Sequence, residues 1–308
     1  MDMADTLRLE PRGIIRHDEP MAKHVSWLAG GHARLFYQPA DVPDLGAFLR
    51  TLDPMLPILF VGLGSNLLVR DAGFPGAVIF THHALTGVHL ENRDGPSLGV
   101  FAGAGVPAPH VARFVAKHGG ADAEWMAGVP GTVGGALAMN AGCYGGETWN
   151  HVASVETIDR AGDLHTRTAS DYEIAYRHVH LKSSAEEWFV SARFTFGPGD
   201  EKAALTRMRE LLAKRVATQP LNQPNAGSVF RNPEGDHAAR LIESCDLKGF
   251  TIGGAQVSPR HANFIVNVGG ATAADIESVI DHVHATVASR TGVDLVQEVR
   301  IVGERRHG

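Results

Sequence analysis

The feature that most constrains this chain is a segment, residues 128–147, from which large side chains are nearly absent. It reads GVPGTVGGALAMNAGCYGGE, contains seven glycines and has no charged side chain before Glu147. A glycine inside regular structure costs about 0.5–1 kcal/mol of stability relative to alanine, so this density needs a compensating reason. Either the backbone turns through positive φ at several residues, or its N–H groups approach an anionic ligand that a Cβ would hold away.

A second segment, VGLGSNLLVRD at residues 61–71, has the same character. It follows the apolar run PILF and places small or polar residues at its start, namely Gly62, Gly64, Ser65 and Asn66. Two glycine-rich loops that each follow a strand predict a pyrophosphate, or an extended cofactor, bound between them.

A rival dinucleotide-binding pattern is present at residues 103–108. The sequence GAGVPA fits G-x-G-x-x-A, and Glu124 stands near the distance expected for a ribose contact. However, Pro107 and Pro109 occupy positions where a Rossmann helix offers backbone N–H groups, so the pattern is a poor match.

Composition excludes several classes of protein. The 308 residues carry a net charge of −6 without a long basic run, which argues against a nucleic-acid partner. No apolar run approaches the ~20 residues of a membrane span, and the charged N-terminus has no signal-peptide core, so we expect a cytoplasmic protein without a membrane partner. Cys143 and Cys245 are too few for a disulfide framework. We expect a monomer or a weak homo-oligomer.

The periodicity of apolar residues predicts an α/β arrangement followed by a smaller α+β part, with a break at GPGDE, residues 197–201. Short apolar runs between residues 34 and 103 and between 151 and 196 are typical of strands. Two later segments predict amphipathic helices. Their predicted apolar stripes are Leu205, Met208, Leu212 and Val216 in the first, and Ile276, Val279, Ile280, Val283 and Val287 in the second.

These motifs, in this order, resemble the UDP-N-acetylenolpyruvoylglucosamine reductase (UDP-N-acetylmuramate dehydrogenase) family. The resemblance runs from residue 26 to residue 303 and rests on GLGSNLLVRD, the 128–147 segment, AYR at 175–177, TQPLNQPNAGSVFRNP at 218–233, LKGFTIGGAQVSPRHANFIVN at 247–267 and EVRIVG at 298–303. It implies an α+β fold. Residues 1–200 would hold an N-terminal arm and an FAD-binding domain of the vanillyl-alcohol-oxidase type with two α/β subdomains, and residues 201–308 a smaller substrate-binding domain whose C-terminal strand returns to the active site.

The resemblance implies NADPH-dependent reduction of the enolpyruvyl group of a UDP-sugar through FAD, in peptidoglycan precursor synthesis. Hydride addition at the terminal carbon leaves negative charge on the neighbouring carbon and its carboxylate, which the protein must stabilise and protonate. Arg177 suits the carboxylate, because its guanidinium is permanently charged and planar. Ser228 matches the family's proton donor. Glu298 matches the carboxyl group that shares the enolate, which requires a raised pKa.

The resemblance also implies binding residues. Those expected along the FAD are Gly62, Gly64, Ser65, Asn66, Gly128, Pro130, Gly131, Thr132, Gly134, Gly135 and Asn140. Those expected at the UDP-sugar are Tyr176, Asn232, Lys248 and His261.

Some residues depart from the family pattern. Leu28 stands where arginine is usual, and HVHLK at 178–182 replaces a serine and an aromatic. No long insertion follows Arg177, which indicates the shorter subtype. His178 and His180 lack a third nearby ligand and do not predict a metal. Two alternatives stay open at this point: a flavin- or nucleotide-binding relative without catalysis, and an FAD oxidoreductase acting on another substrate.

Overall fold

The structure is a computed structural model that describes residues 10–92 and 97–305. Its helices are α1 (Val42–Leu49), α2 (Ala108–Lys117), α3 (Val133–Ala138), α4 (Glu201–Thr218), α5 (Ala238–Ser244) and α6 (Ala273–Thr291). Its strands are β1 (Ile14–Pro20), β2 (His32–Gln38), β3 (Ile58–Val61), β4 (Leu67–Val69), β5 (Phe74–Phe80), β6 (Val88–Asn92), β7 (Leu98–Gly103), β8 (Gly142–Cys143), β9 (Gly146–Glu147), β10 (Val152–Asp159), β11 (Leu164–Arg167), β12 (Tyr172–Ala175), β13 (His178–Leu181), β14 (Glu187–Phe196), β15 (Thr251–Ile252), β16 (Ala255–Val257), β17 (Ile265–Asn267) and β18 (Arg300–Val302).

Two sheets form the first part of the molecule. One has the order β1-β2-β5-β3, with β5 parallel to both of its neighbours. The other has the order β11-β10-β14-β7-β6 and is antiparallel throughout.

The last third of the chain builds a small unit from the sheet β15-β16-β17 and the helices α5 and α6. Helix α6 begins at a capping box, in which Thr272 and Asp275 bond reciprocally, and ends at Gly292 in the left-handed region. The predicted apolar stripe of α6 is confirmed, since all five of its residues are buried.

The stripe predicted for α4 is wrong at its end. The buried residues of this helix are Ala204, Met208 and Leu211, and Val216 is 57% exposed. The helix is rotated because it packs on α2 and on the short 3-10 helix Glu124–Gly128, so the face turned toward those elements is the buried one.

The two parts of the chain are interleaved. Trp27, near the N-terminus, belongs to the hydrophobic cluster of the C-terminal unit, whereas Met208 of α4 belongs to the cluster around the five-stranded sheet. Strand β18 pairs in parallel with β4. The boundary between residues 200 and 201 stays a prediction, and the packing of α4 favours a division after that helix. Within the described ranges, no helix has the length and apolar character to cross a membrane.

Candidate active site

A cavity of about 550 Å³, here called the main cavity, lies where these parts meet. Its walls come from the loop between β3 and β4, from residues 128–143, from the hairpin β12–β13, from residues 226–228 and from Glu298. The two glycine-rich segments therefore face one another across one space, as the sequence predicts.

The glycines of these loops serve two different purposes. At some positions a Cβ would collide with the protein itself: an added Cβ on Gly62 would lie 2.2 Å from Thr132 Oγ1, and one on Gly128 would lie 2.7 Å from the Cys143 sulfur. At Gly131 the nearest atom is 3.5 Å away, and at Gly135 it is 3.9 Å away. Because the protein does not forbid a side chain at the last two residues, their bare backbone is explained best by a ligand in the cavity.

Two polar atoms in the wall of the main cavity have no hydrogen-bond partner among the described residues. Thr132 Oγ1 and the Tyr172 hydroxyl are buried and make no hydrogen bond to any described residue. A buried polar group without a partner costs roughly 1–3 kcal/mol, so these two atoms indicate a ligand with hydrogen-bonding groups. The residues fit FAD, whose phosphates and ribityl hydroxyls would satisfy them.

Aromatic side chains form part of the wall of the main cavity. Trp188 stacks on Phe60 with ring centroids 4.9 Å apart and planes inclined by 10°, and Tyr172 and Phe189 stand nearby in the same wall. Flat aromatic rings in a cavity wall suit a ligand that carries flat heterocycles, as FAD does.

Arg177 and Glu298 meet in the main cavity from opposite parts of the chain. Arg177 Nε donates to Glu298 Oε1 at 2.8 Å, and the same guanidinium donates to the Gly142 carbonyl at 3.0 Å. Arg177 sits at the turn of the β12–β13 hairpin with φ 54°, a strained value for a side chain of this size. Burial raises the pKa of the Glu298 carboxyl, while Arg177 and then Arg231 oppose that rise. The direction agrees with the sequence-based expectation.

Ser228 lies in the wall of the same cavity. Its neighbour Val229 accepts a hydrogen bond from the Glu298 N–H at 2.8 Å, which places the two segments side by side. Gly227, with φ 76°, makes the preceding turn, and its N–H is held by the side chain of Asn225 at 2.9 Å.

The predicted FAD residues are brought together with one exception. All of them except Asn140 line the main cavity. The Asn140 amide is buried and donates to Glu147 at 3.0 Å and to the Ala175 carbonyl at 3.3 Å, while the Asn140 carbonyl accepts from Arg177 at 3.4 Å. Asn140 thus forms hydrogen bonds with Ala175 and Arg177 at the turn of the β12–β13 hairpin.

None of the four residues predicted to bind the UDP-sugar is among the described residues that line the main cavity. Tyr176 is 44% exposed and stacks beneath the Arg177 guanidinium at 5.0 Å. Asn232 accepts from the Ala238 N–H at the start of α5, and Lys248 pairs with Glu243 at 2.7 Å. The His261 Nδ1 is buried and has no hydrogen-bond partner in the described part of the chain, and burial lowers the pKa of this histidine. Their roles stay predictions.

Sequence reasoning missed Arg215, which lines the main cavity near the end of α4. Its guanidinium donates to the Gly128 carbonyl at 2.8 Å and to the Gln219 side chain at 2.7 Å. Burial lowers the pKa of Arg215. The helical pattern alone did not distinguish this arginine from exposed ones on the same helix.

The residues that depart from the family pattern lie on both sides of the β12–β13 hairpin and at a neighbouring cavity. In β13, Val179 and Leu181 face the main cavity, so the alternating His178 and His180 are exposed on the other face. Leu28, with φ 55°, borders a second cavity of about 540 Å³ that shares Ser65, Pro130, Arg215 and Gly227 with the first.

The rival pattern at residues 103–108 forms no free helix terminus for a phosphate. The first N–H of α2, at Ala108, donates to the Gly131 carbonyl at 2.9 Å. Ala104 alone of this pattern reaches the wall of the main cavity.

Comparison with known proteins agrees with this geometry. Residues 33–168 match a family described as an FAD-binding domain, and residues 219–302 match the C-terminal domain of UDP-N-acetylenolpyruvoylglucosamine reductase. The chain is 57% identical to the UDP-N-acetylenolpyruvoylglucosamine reductase of Nitrosospira multiformis, over 95% of this chain and 89% of that one. The chain belongs to the UDP-N-acetylenolpyruvoylglucosamine reductase family.

Other members of this reductase family also match nearly the whole chain. The protein of that name from Thiobacillus denitrificans is 54% identical over 96% of this chain and 94% of its own. The crystal structure of the Thermus caldophilus reductase superposes with a TM-score of 0.77 at 28% identity, covering 95% of this chain and 99% of that one. The predicted α+β fold with an FAD-binding domain is confirmed.

Proposed function

We propose that the protein reduces the enolpyruvyl group of UDP-N-acetylglucosamine enolpyruvate to give UDP-N-acetylmuramate, with NADPH as the reductant, in the cytoplasm. The observation that carries this proposal is the meeting of Arg177, Ser228 and Glu298 in the wall of one cavity whose glycines leave room for a flavin. When bound, FAD supplies the redox chemistry that no side chain can, taking two electrons from NADPH and passing them to the enolpyruvyl double bond.

Arg177 holds the substrate carboxylate in this proposal. Its Nε already donates to Glu298 and its other nitrogens face the carbonyl groups of Gly142 and Asn140, so the guanidinium is oriented before substrate arrives. A preorganised cation stabilises the negative charge that develops next to the carboxylate during reduction.

Glu298 works in its protonated form. Burial raises the pKa of Glu298, and a substrate carboxylate beside it raises the pKa further because two like charges disfavour each other. A protonated Glu298 then donates a hydrogen bond to the enolate oxygen. Ser228 delivers its hydroxyl proton to the carbon that bears the carboxylate, which completes the saturated lactyl ether.

The visible absorption spectrum tests the proposal. Purified protein should carry flavin absorbance, lose it under NADPH without oxygen, and regain it when the enolpyruvyl substrate is added. Bleaching without recovery by that substrate would favour a binding relative or an oxidoreductase with another substrate. A protein that fails to bind added FAD would refute the proposal at its first step.

A further inference from the structure

We propose that Asn66 is a positioning residue for Glu298, in addition to its place in the wall of the main cavity. The inference rests on the proposed function, because it assigns to Asn66 the orientation of a carboxyl group that this function requires. Asn66 lies in the first glycine-rich loop and contacts the C-terminal segment that carries Glu298.

Asn66 holds the Glu298 segment through two hydrogen bonds. Its side-chain amide Nδ2 donates to the Glu298 carbonyl at 3.2 Å, and its own carbonyl accepts from the Arg300 N–H at 3.0 Å. These bonds fall on either side of Val299, which is buried. The peptide groups that follow Glu298 are therefore fixed against the end of the flavin-facing loop.

The peptide group that precedes Glu298 is fixed from the other direction. The Glu298 N–H donates to the Val229 carbonyl at 2.8 Å, next to Ser228. With both sides of its backbone held, Glu298 has its carboxyl at 2.8 Å from Arg177 Nε. Loss of the Asn66 donor releases one of these constraints, and the carboxyl moves relative to both Arg177 and Ser228.

An uncharged amide suits this position. Glu298 is largely buried, with 14% of its side chain exposed, and a second carboxylate beside it would carry a desolvation cost that a neutral amide avoids. Asparagine supplies a hydrogen-bond donor without adding a charge, whereas aspartate has nearly the same shape and, when ionised, only accepts.

The test compares Asn66→Asp and Asn66→Ala with Ser65→Ala, all measured with saturating FAD. Ser65 is the adjacent residue and lines the main cavity next to Gly131, so it serves as the matched control for cofactor contact. Stopped-flow absorbance follows flavin reduction by NADPH and reoxidation by the enolpyruvyl substrate, each across pH.

Both Asn66 variants should slow reoxidation by roughly 10- to 100-fold, the scale of a catalytic group displaced by about 1 Å. Flavin reduction by NADPH should change little. The pH at which reoxidation declines should also move, because the carboxyl leaves its place beside Arg177. Ser65→Ala should leave that pH unmoved.

Other results overturn the inference. If the flavin of Asn66→Asp is reoxidised as fast as that of the natural protein, the hydrogen-bond donor of Asn66 does not position Glu298. If the Asn66 variants slow both half-reactions equally, the residue acts only on the cofactor. A natural protein that substrate cannot reoxidise would instead refute the proposed function itself, so the two failures are distinguishable.

Discussion

At the scale of single residues, the proposed proton donation by Ser228 depends on the arrangement around Arg177. A serine hydroxyl is a weak acid, so its contribution depends on being held at the carbon that needs the proton. The segment beside Ser228 is held by the Glu298 N–H, and Glu298 is held by Arg177. Arg177 and Glu298 are thus linked through their side chains, and the backbone of Glu298 links them to the segment that carries Ser228.

Ser228→Ala should slow reoxidation of the reduced flavin by the enolpyruvyl substrate by roughly 10²-fold or more, the scale of positioned proton transfer. Flavin reduction by NADPH should stay nearly intact, because no proton from Ser228 is needed there. Stopped-flow absorbance at the flavin band measures both steps. The exposed Ser183, in the loop after β13, provides a control when changed to alanine. Equal loss in both steps would reject Ser228 as the donor.

The two kinds of glycine give a second prediction at this scale. Gly131→Ala should weaken FAD binding by roughly 10-fold or more, since its Cβ enters the main cavity, yet leave the FAD-free protein as stable as before. Gly146→Ala should leave FAD affinity unchanged and destabilise the FAD-free protein. Its Cβ would lie 2.3 Å from the Trp125 ring, and overpacking costs typically 1–3 kcal/mol.

Fluorescence titration with FAD and thermal unfolding of the FAD-free protein measure these two effects. Full FAD affinity in Gly131→Ala would show that the glycine serves only the loop's own conformation.

At the scale of elements, the contact between the loop after β4 and helix α6 fastens the C-terminal unit to the first part of the chain. Arg70 donates to both carboxylate oxygens of Glu277, at 2.9 and 3.0 Å, and Arg305 donates to the same carboxylate at 2.8 Å. The next residue, Asp71, accepts from the N–H groups of Ala273 and Ala274 at the start of α6. A carboxylate there also compensates the positive end of the helix dipole.

Glu277→Gln should destabilise the protein by about 2–3 kcal/mol at neutral pH, since it removes charge-assisted hydrogen bonds from a largely buried site. The Arg70 hydrogen bond lowers the pKa of Glu277 below that of an ordinary glutamate. Its stabilising contribution is therefore complete above the unfolded-state pKa and is lost as the pH falls through the lower folded-state pKa.

Urea unfolding between neutral and acidic pH measures this. The difference between natural and Glu277→Gln protein should shrink toward low pH, and a constant difference would contradict the assignment. Glu234→Gln, at an exposed residue, serves as the control.

At the scale of the whole molecule, the main cavity exists only because the two parts of the chain are joined. Trp27 precedes the first glycine-rich loop, yet it is fully buried in the C-terminal cluster, where its Nε1 donates to the Ile265 carbonyl at 2.7 Å. The Asn267 side chain in turn donates to the Trp27 carbonyl at 3.0 Å. Folding of one part is thereby coupled to the other.

Trp27→Phe should lower the free energy of unfolding by about 2–4 kcal/mol, because it leaves the Ile265 carbonyl unpaired and a gap beside it. Release of bound flavin and loss of circular dichroism should still occur together in urea. Two separate transitions would show that the parts unfold independently.

Sequence patterns anticipated much of this molecule for identifiable reasons. The stripe of α6 could be predicted because Ile276 to Val287 follow the helical period and lie on one face, which packs on the sheet β15-β16-β17 and on α5. The stripe of α4 could not, since its buried face depends on which elements it meets, and Val216 is consequently exposed. The same limit applies to Arg215, whose position in the cavity wall follows from that packing.

Local residue patterns predict the two glycine-rich loops and their order among the strands, and the family resemblance adds the chemical groups of Arg177, Ser228 and Glu298. These are local properties, because the backbone freedom of glycine and the chemistry of a side chain do not depend on distant residues. The tertiary structure alone decided that Glu298 meets Arg177, that Asn66 holds the Glu298 segment, and that Gly131 faces the cavity whereas Gly62 faces Thr132. Each of these is a contact between segments far apart in the chain, which only the packing of the whole molecule brings together.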